Sequence, residues 1–421
     1  MHHFDYRNGV LHCEGVNLQT LADQFGTPTY VYSTATLERH YQVLHAAFTA
    51  TPTLVAFSVK ANGNLGVLRT LAAQGAGADV VSGGELQRAL RAGIPASRIV
   101  FSGVAKSEAD LTLALQAGIR LFNIESAPEL HRLSRLAIAL SVCAPIAFRV
   151  NPHVAAGGHA NISTGKADDK FGVAWHEAEA LYAEAASLPG INPIAVDVHI
   201  GSQIEALAPM REAFTKVIGL VDKLRANGIA ITTIDLGGGL AIPYRADDAP
   251  APPTEYAAMI AGVVSGRGLD LILEPGRMIA GNAGILLSRV EYIKDRDGRR
   301  FIILDAGMND LLRPALYDAH HDIVPVRQPE AAATTNAVDV VGPVCESTDR
   351  FAEARLLPPL AEGDLVAIMS AGAYGAAMAS QYNARPLAAE VLVRDTHASL
   401  VRRRPDFNEM IALEAFAPWQ A

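Results

Sequence analysis

Only three cysteines, Cys13, Cys143 and Cys345, occur in 421 residues, too few and too scattered for a disulfide framework. No CxxC pair or clustered His/Cys spacing marks a metal site. A reducing cytoplasm is the expected setting. Basic residues do not gather into a patch either. The formal charge is −9, which argues against nucleic acid or an anionic membrane as partner. The short arginine run at 402–404 reads as a solvated tail. The longest apolar stretch, 136–148, is too short to cross a bilayer and contains Pro145. The opening MHHFDYRNGV lacks the apolar centre of a signal peptide. Low-complexity tracts are absent, and the only repeat is an alternation of strand and helix signals.

That alternation is the main content of the chain, half of whose residues are hydrophobic. Eight apolar runs follow one another: LVAFSVK at 54–60, DVVSGG at 79–84, IVFSG at 99–103, LFNIES at 121–126, IAFRVN at 146–151, AVDVHIGS at 195–202, TIDLGGG at 233–239 and LDLILEPG at 269–276. Helical stretches lie between them, several closed by a glycine (Gly75, Gly93, Gly118, Gly228), the residue that takes the left-handed cap most cheaply. Ser107 with Asp110 forms a variant capping box. Eight parallel strands alternating with helices predict a (β/α)8 barrel over 36–282. After Gly284 the pattern becomes strands alone, and Asn8-Gly9 marks a hairpin near the start. A mostly antiparallel β domain, built from 1–35 and 283–421, is expected beside the barrel.

In such barrels chemistry collects at the C-terminal ends of the strands. Those ends carry Lys60, Ser82, Gly103, Glu125, Arg149 with Asn151, His199, Gly237 to Gly239, and Glu274. A lysine closing an apolar strand can be a wet-end surface charge. A desolvated amine, however, has a lowered pKa and can form a Schiff base with a carbonyl. The triple glycine is either a tight turn or an anion cradle whose N–H groups approach a phosphate. A phosphate-bearing carbonyl cofactor beside such a lysine is pyridoxal 5'-phosphate. Here Lys60 would hold it, the glycines with Ser202 would hold its phosphate, and His199 would lie against one ring face. Otherwise His199 is a hydrogen-bonded core histidine. Glu274 selects the chemistry, because a carboxylate beside the pyridine nitrogen keeps it protonated and makes the ring an electron sink. That favours decarboxylation, whereas a racemase would place a cation there. A plain Glu274–Arg277 ion pair is the other reading.

With these residues in place, the chain resembles the diaminopimelate decarboxylases, lysine-forming members of the barrel-type pyridoxal phosphate decarboxylases. The resemblance runs in order through FSVKANGN at 57–64, DVVSGGEL at 79–86, FRVNP at 148–152, HIGSQI at 199–204, DLGGGL at 235–240, EPGR at 274–277, DAGMNDLLRPALYDAHH at 305–321, VVGPVCES at 340–347 and AGAYGAAMASQYNARP at 371–386. It implies that Lys60 is the Schiff-base lysine and Glu274 the pyridinium partner. Cofactor contacts would come from Gly238 and its neighbours, from Pro275, Gly276 and Arg277, and from Tyr374. Arg277, Arg313 and Tyr317, with Tyr374, would grip substrate carboxylates, a task suited to arginine's planar fork. Glu346 would recognise the distal ammonium, and Cys345 would return a proton to Cα, as a thiol near neutral pKa can. The alternative for Cys345 is a small buried hydrophobe. A homodimer with shared sites is also implied.

The implied reaction converts meso-2,6-diaminopimelate to L-lysine and carbon dioxide, the last step of lysine biosynthesis. Two segments depart from the family pattern. HANISTGKADDKFG at 159–172 has Ala160 and Asn161 where relatives carry a proline and an aromatic, and QYNARP is followed by Leu387 in place of an arginine. Both bear on substrate choice and leave the cofactor residues intact. Two other functions stay open: decarboxylation of ornithine, lysine, arginine or a carboxylated polyamine, and a silent pyridoxal phosphate-binding homologue. Arg313 with Glu346 favours the diacid, whose zwitterionic far end needs both signs of charge. Loss of Lys60 or Cys345 would have marked a silent homologue, and both are present.

Overall fold

The computed structural model describes residues 2–49, 51–155, 170–330 and 334–420. The chain divides into two compact units, one of residues 37–281 and the other of 1–36 with 282–421. The first is a closed barrel of eight parallel strands. These are β1 (Thr53–Ser58), β2 (Gly77–Val80), β3 (Ile99–Phe101), β4 (Leu121–Ile124), β5 (Ala144–Asn151), β6 (Ile191–Asp197), β7 (Thr233–Asp235) and β8 (Asp270–Leu273). Every neighbouring pair is parallel, and β8 returns to β1 through Leu271↔Thr53 to Leu273↔Val55. The barrel expected from the strand–helix alternation is therefore the fold.

Period-two alternation decides what fills the barrel. Leu54 and Ala56, Val100, Leu121, Ala147, Ala195 and Ile272 make one buried apolar cluster. Two residues further along the same strand faces come Ser58, Ser102, Asn123, Arg149, Asp197 and Glu274. All six are buried. The lower layer is thus hydrocarbon and the upper layer polar. Gly77 is required at the lower level, since a Cβ there would lie 2.3 Å from the Arg98 carbonyl oxygen and 2.9 Å from Leu54 Cδ1.

Caps follow the sequence signals closely. Ser107 Oγ accepts the Asp110 N–H at 3.1 Å, Asp110 Oδ2 accepts the Ser107 N–H at 3.1 Å, and helix Glu108–Ala117 ends on Gly118 at φ 67°. Lys106 just before it is fully buried, donating to the carbonyls of Gly103 and Asn123 and to Glu129.

The second unit is a β domain. Its hairpin, Phe4–Arg7 against Val10–Cys13, turns on Asn8 and Gly9 at φ 50° and 76°, as a two-residue loop demands. Thr29–Ser33 pairs antiparallel with Gly284–Arg296 and parallel with Ala389–Arg394. Arg299–Leu304 and Asn336–Val341 are also parallel, so the sheet is antiparallel only for the most part. Strands Ile323–Pro325, Arg350–Leu357 and His397–Arg402 were not legible in the sequence. Strand Asn336–Val341 stops there, because Gly342, Pro343 and the Cys345 segment leave the sheet. Phe4, Leu11, Leu18, Val31, Ile285, Val326, Ala367 and Val391 build the core.

The arginine run is not a free tail. Arg402 pairs with the buried Glu390 at 2.9 Å, and Arg404 donates to the Pro28 carbonyl at 2.6 Å. A buried carboxylate draws in a cation that composition alone left in solvent. Among the described residues no helix is long and apolar enough to cross a membrane.

Candidate active site

Lys60 lies two residues beyond its strand. β1 stops at Ser58, and Lys60 occupies the single 3-10 turn Val59–Ala61. Its Nζ is 2.6 Å from Asp79 Oδ2, and its side chain keeps 35% of its surface exposed. The amine is therefore an ion-paired, partly exposed group at the mouth, between the wet-end and the desolvated readings of the sequence. Asp79, fully buried on β2, also accepts the Ser58 hydroxyl at 2.8 Å.

His199 sits two residues past β6. Its Nδ1 accepts the Gly238 N–H at 3.1 Å, which places the ring proton of the neutral form on Nε2. Burial holds its pKa well below the ordinary histidine value, with Arg149 and Lys60 adding to the shift, so the ring is neutral. The same contact uses part of the glycine turn's donor capacity. Gly237 N–H is spent on Asp235 Oδ1 at 3.0 Å and Gly238 N–H on the imidazole. Glycine is nevertheless obligatory here. Gly237 and Gly239 have φ of 62° and 107°, and a Cβ on Gly238 would stand 2.3 Å from the Glu274 carbonyl oxygen.

Glu274 follows β8 and is only 5% exposed. Its Oε1 accepts from Ser102 Oγ at 3.2 Å and Asn123 Nδ2 at 3.4 Å, while no described residue donates to Oε2. Burial, then Asp235 and Asp79, push its pKa well above the carboxylate range, with Lys60 and Arg149 opposing. Such a carboxyl ionises when a cationic partner reaches it. Asp235, raised to about 8 by burial and by Asp197, belongs to the same buried group.

In the EPGR turn the Pro275 carbonyl accepts the Ser58 N–H at 3.1 Å, and Gly276 caps the short helix Arg277–Ala280. Arg277 is 7% exposed, donates to Ser202 Oγ at 3.1 Å and to the Tyr244 hydroxyl, and lies over the Tyr244 ring. It does not pair with Glu274, whose partners are Ser102 and Asn123. Arg149 and Glu125 form a buried pair at 3.4 Å. Glu125 also accepts the N–H groups of Gly103 and Gly172, both at 2.9 Å. This ties down the KFG end of the 159–172 segment, whose residues before 170 lie outside the described ones. Asp79, Ser102, Asn123, Asp197, Asp235 and Tyr244 were missed as site residues. The first five were visible as polar residues inside or ending otherwise apolar strands.

Five expected residues belong to the other unit. Arg313 opens helix Arg313–Tyr317, is 6% exposed, and is 2.8 Å from His321 Nε2. Tyr317 ends that helix, and Tyr374 adopts φ 56°. Cys345 and Glu346 are exposed on a loop. Asn383 Oδ1 accepts the Cys345 N–H at 3.0 Å, and Glu346 accepts from Tyr382 Oη at 3.0 Å and Thr348 Oγ1 at 2.8 Å. Tyr382 and Asn383 had no expected role, although both lie in the QYNARP segment.

The barrel mouth fits a pyridoxal group. It offers an amine, a neutral imidazole, a turn that excludes Cβ atoms, and a buried carboxylate whose two described donors both reach Oε1. The family described as pyridoxal-dependent decarboxylase, pyridoxal binding domain, matches residues 34–281. That defines the class, a barrel-type decarboxylase using pyridoxal phosphate. The diaminopimelate decarboxylase of Pseudomonas aeruginosa is 50% identical over 99% of both chains. That of Vibrio cholerae is 49% identical over 99% of this chain and all of its own. The crystal structure of diaminopimelate decarboxylase from Helicobacter pylori complexed with L-lysine superposes with a TM-score of 0.91, at 40% identity over 94% of this chain and 99% of that one. The chain belongs to the diaminopimelate decarboxylase family.

Proposed function

We propose that this chain decarboxylates meso-2,6-diaminopimelate to L-lysine and carbon dioxide. The observation that carries the reading is the near-complete alignment with diaminopimelate decarboxylases, joined to a buried Glu274 with one oxygen left for a ring nitrogen. The substrate has one D and one L centre, so an L product requires loss of the carboxylate at the D centre. When bound, pyridoxal phosphate supplies an electron sink for the pair left at Cα as carbon dioxide departs.

The chain's own residues then take the following parts. Lys60 holds the cofactor through its amine, and Glu274 holds a proton at the ring nitrogen. His199, fixed as a neutral ring by Gly238, presents a face and no charge to the ring. Ser202, Gly237 to Gly239, Pro275, Gly276 and Tyr374 serve the cofactor. Arg277, Arg313, Tyr317 and Tyr374 bind carboxylates, and Glu346 binds the distal ammonium. Cys345 Sγ delivers the proton to Cα that replaces the carboxylate.

Cys345 and Glu346 are exposed, which suits residues that complete a second subunit's site. A homodimer with shared sites is accordingly part of the proposal, as is a cytoplasmic location for three unpaired cysteines. Carbon dioxide release across a panel of amino acids tests the substrate. We expect the diacid to exceed lysine and ornithine by about ten-thousandfold, since a site built on paired polar groups rejects ligands that leave them unpaired. Comparable turnover of lysine would move the assignment to a basic amino-acid decarboxylase.

A further inference from the structure

Asp197 and Asp235 stand opposite each other in the β6–β7 register, and are 1% and 0% exposed. One carboxylate oxygen from each, and one from Glu274, lie within 4.8 Å of one another. Donors are scarce. Asp235 Oδ1 receives the Gly237 N–H at 3.0 Å and Oδ2 the Asn123 amide at 3.2 Å, but Asp197 Oδ1 is buried with no hydrogen-bond partner. A buried acid with an orphaned oxygen, set among two other acids, is expensive unless the cluster retains a proton.

The charges around the pair do not remove the difficulty. The cations are Lys60 and Arg149, which lie 2.6 Å from Asp79 and 3.4 Å from Glu125 respectively. Asp79, Glu125 and Glu274 add negative charge, His199 is neutral, and Tyr256 faces Asp235 as an uncharged hydroxyl. Burial and mutual repulsion both raise the proton affinity of the pair. Two like charges this close in a dry interior titrate as a unit and retain one proton.

We propose that Asp197 and Asp235 share one proton across their strand pairing, and so act as positioning residues that let Glu274 stay ionised for the ring nitrogen. The shared proton supplies a hydrogen bond to a pair in which Asp197 lacks one. It also halves the charge that this pair presents to Glu274. Without it, Glu274 would be the acid that took the proton, and could not stabilise a cationic ring. The role of Glu274 rests on the proposed function, whereas the shared proton does not, and the two are read separately below.

Infrared difference spectroscopy of the holoenzyme at neutral pH reads the proton directly. A carbonyl band of a protonated carboxylic acid, shifted in D2O, should be present in the wild type. It should vanish in both Asp197→Asn and Asp235→Asn and persist in Glu274→Gln. An asparagine amide replaces the shared hydrogen with an N–H, so these variants should fold, which their circular dichroism checks. A wild type without the band, or a band lost only in Glu274→Gln, would overturn the proposal.

Unfolding against pH is the second arm. The folded pair keeps a proton that an unfolded aspartate releases near pH 4. Its stabilisation is therefore complete below that pH and fades as pH rises towards the folded value. Relative to Asp235→Asn, the wild-type folding constant should fall by up to about tenfold per pH unit across that window. Parallel curves would count against a shared proton. So would a stoichiometric divalent cation that is present in the wild type and missing from Asp197→Asn. Failure of the cofactor to bind would show in its own absorbance and would leave the infrared result standing.

Discussion

At the residue scale, the proposed reaction rests first on two side chains, Lys60 and Glu274, and each has its own test. Lys60 is held towards Asp79 at 2.6 Å with about a third of its surface open, an arrangement that orients an amine and keeps it accessible. Borohydride reduction and peptide mapping should find the pyridoxyl group on Lys60 alone. Labelling of another lysine with Lys60 unmodified would remove the basis of the site. Lys60→Ala should lose the cofactor's visible absorbance and nearly all turnover, and it leaves buried Asp79 without its cation. Glu274→Gln should keep the cofactor and lose about 10²–10³-fold in rate, the usual worth of one oriented group at a reacting centre. An almost unchanged rate in that variant would show that ring protonation is dispensable.

Strand faces and turns set the elements' contribution. Residues 235 to 239 pass from a buried aspartate into a glycine turn with no room for a Cβ. Gly238→Ala would press a methyl group to within 2.3 Å of the Glu274 carbonyl oxygen, a backbone atom that cannot rotate away. We expect a loss of about 1–3 kcal/mol, as for other overpacked sites. Because the same turn holds His199 and the end of β8, cofactor occupancy should fall with it. Thermal unfolding and cofactor absorbance check both, and a stable variant with full occupancy would mean that the turn relaxes freely. The eight barrel strands were legible because each is a short apolar run between helix caps. Much of their upper polar layer was overlooked because a single polar residue in an apolar strand reads as an exception. Only the closed barrel shows that Ser58, Ser102, Asn123 and Asp197 face inward at one level with Arg149 and Glu274.

For the whole molecule, the test is assembly. Lys60 and Cys345 belong to different compact units, and Cys345 with Glu346 is exposed on its own unit. If two subunits complete each other's sites, inactive Lys60→Ala and inactive Cys345→Ala proteins should complement on mixing. A heterodimer then has one doubly defective site and one intact site, and recovers up to about half of wild-type activity, as a two-fold assembly with reciprocal contacts requires. Proven subunit exchange without recovery would place both residues in one chain's site.

The order of apolar runs, glycine stops and caps determines the barrel by itself, because burial periodicity and backbone propensity are local properties of the chain. Asn8-Gly9 likewise determines its hairpin, through two residues that accept positive φ. The candidate lysine, histidine, glycine turn and carboxylate were legible for a related reason: each lies at the end of a recognisable strand. Tertiary structure decided the partners. Asp79 for Lys60, Gly238 for His199, and Tyr244 with Ser202 for Arg277 come from sequence-distant segments. It also decided that Arg402 and Arg404 fold back, and that Asp197, Asp235 and Glu274 share one dry space. Desolvation and charge proximity depend on what surrounds a group in three dimensions, and no spacing along the chain encodes them.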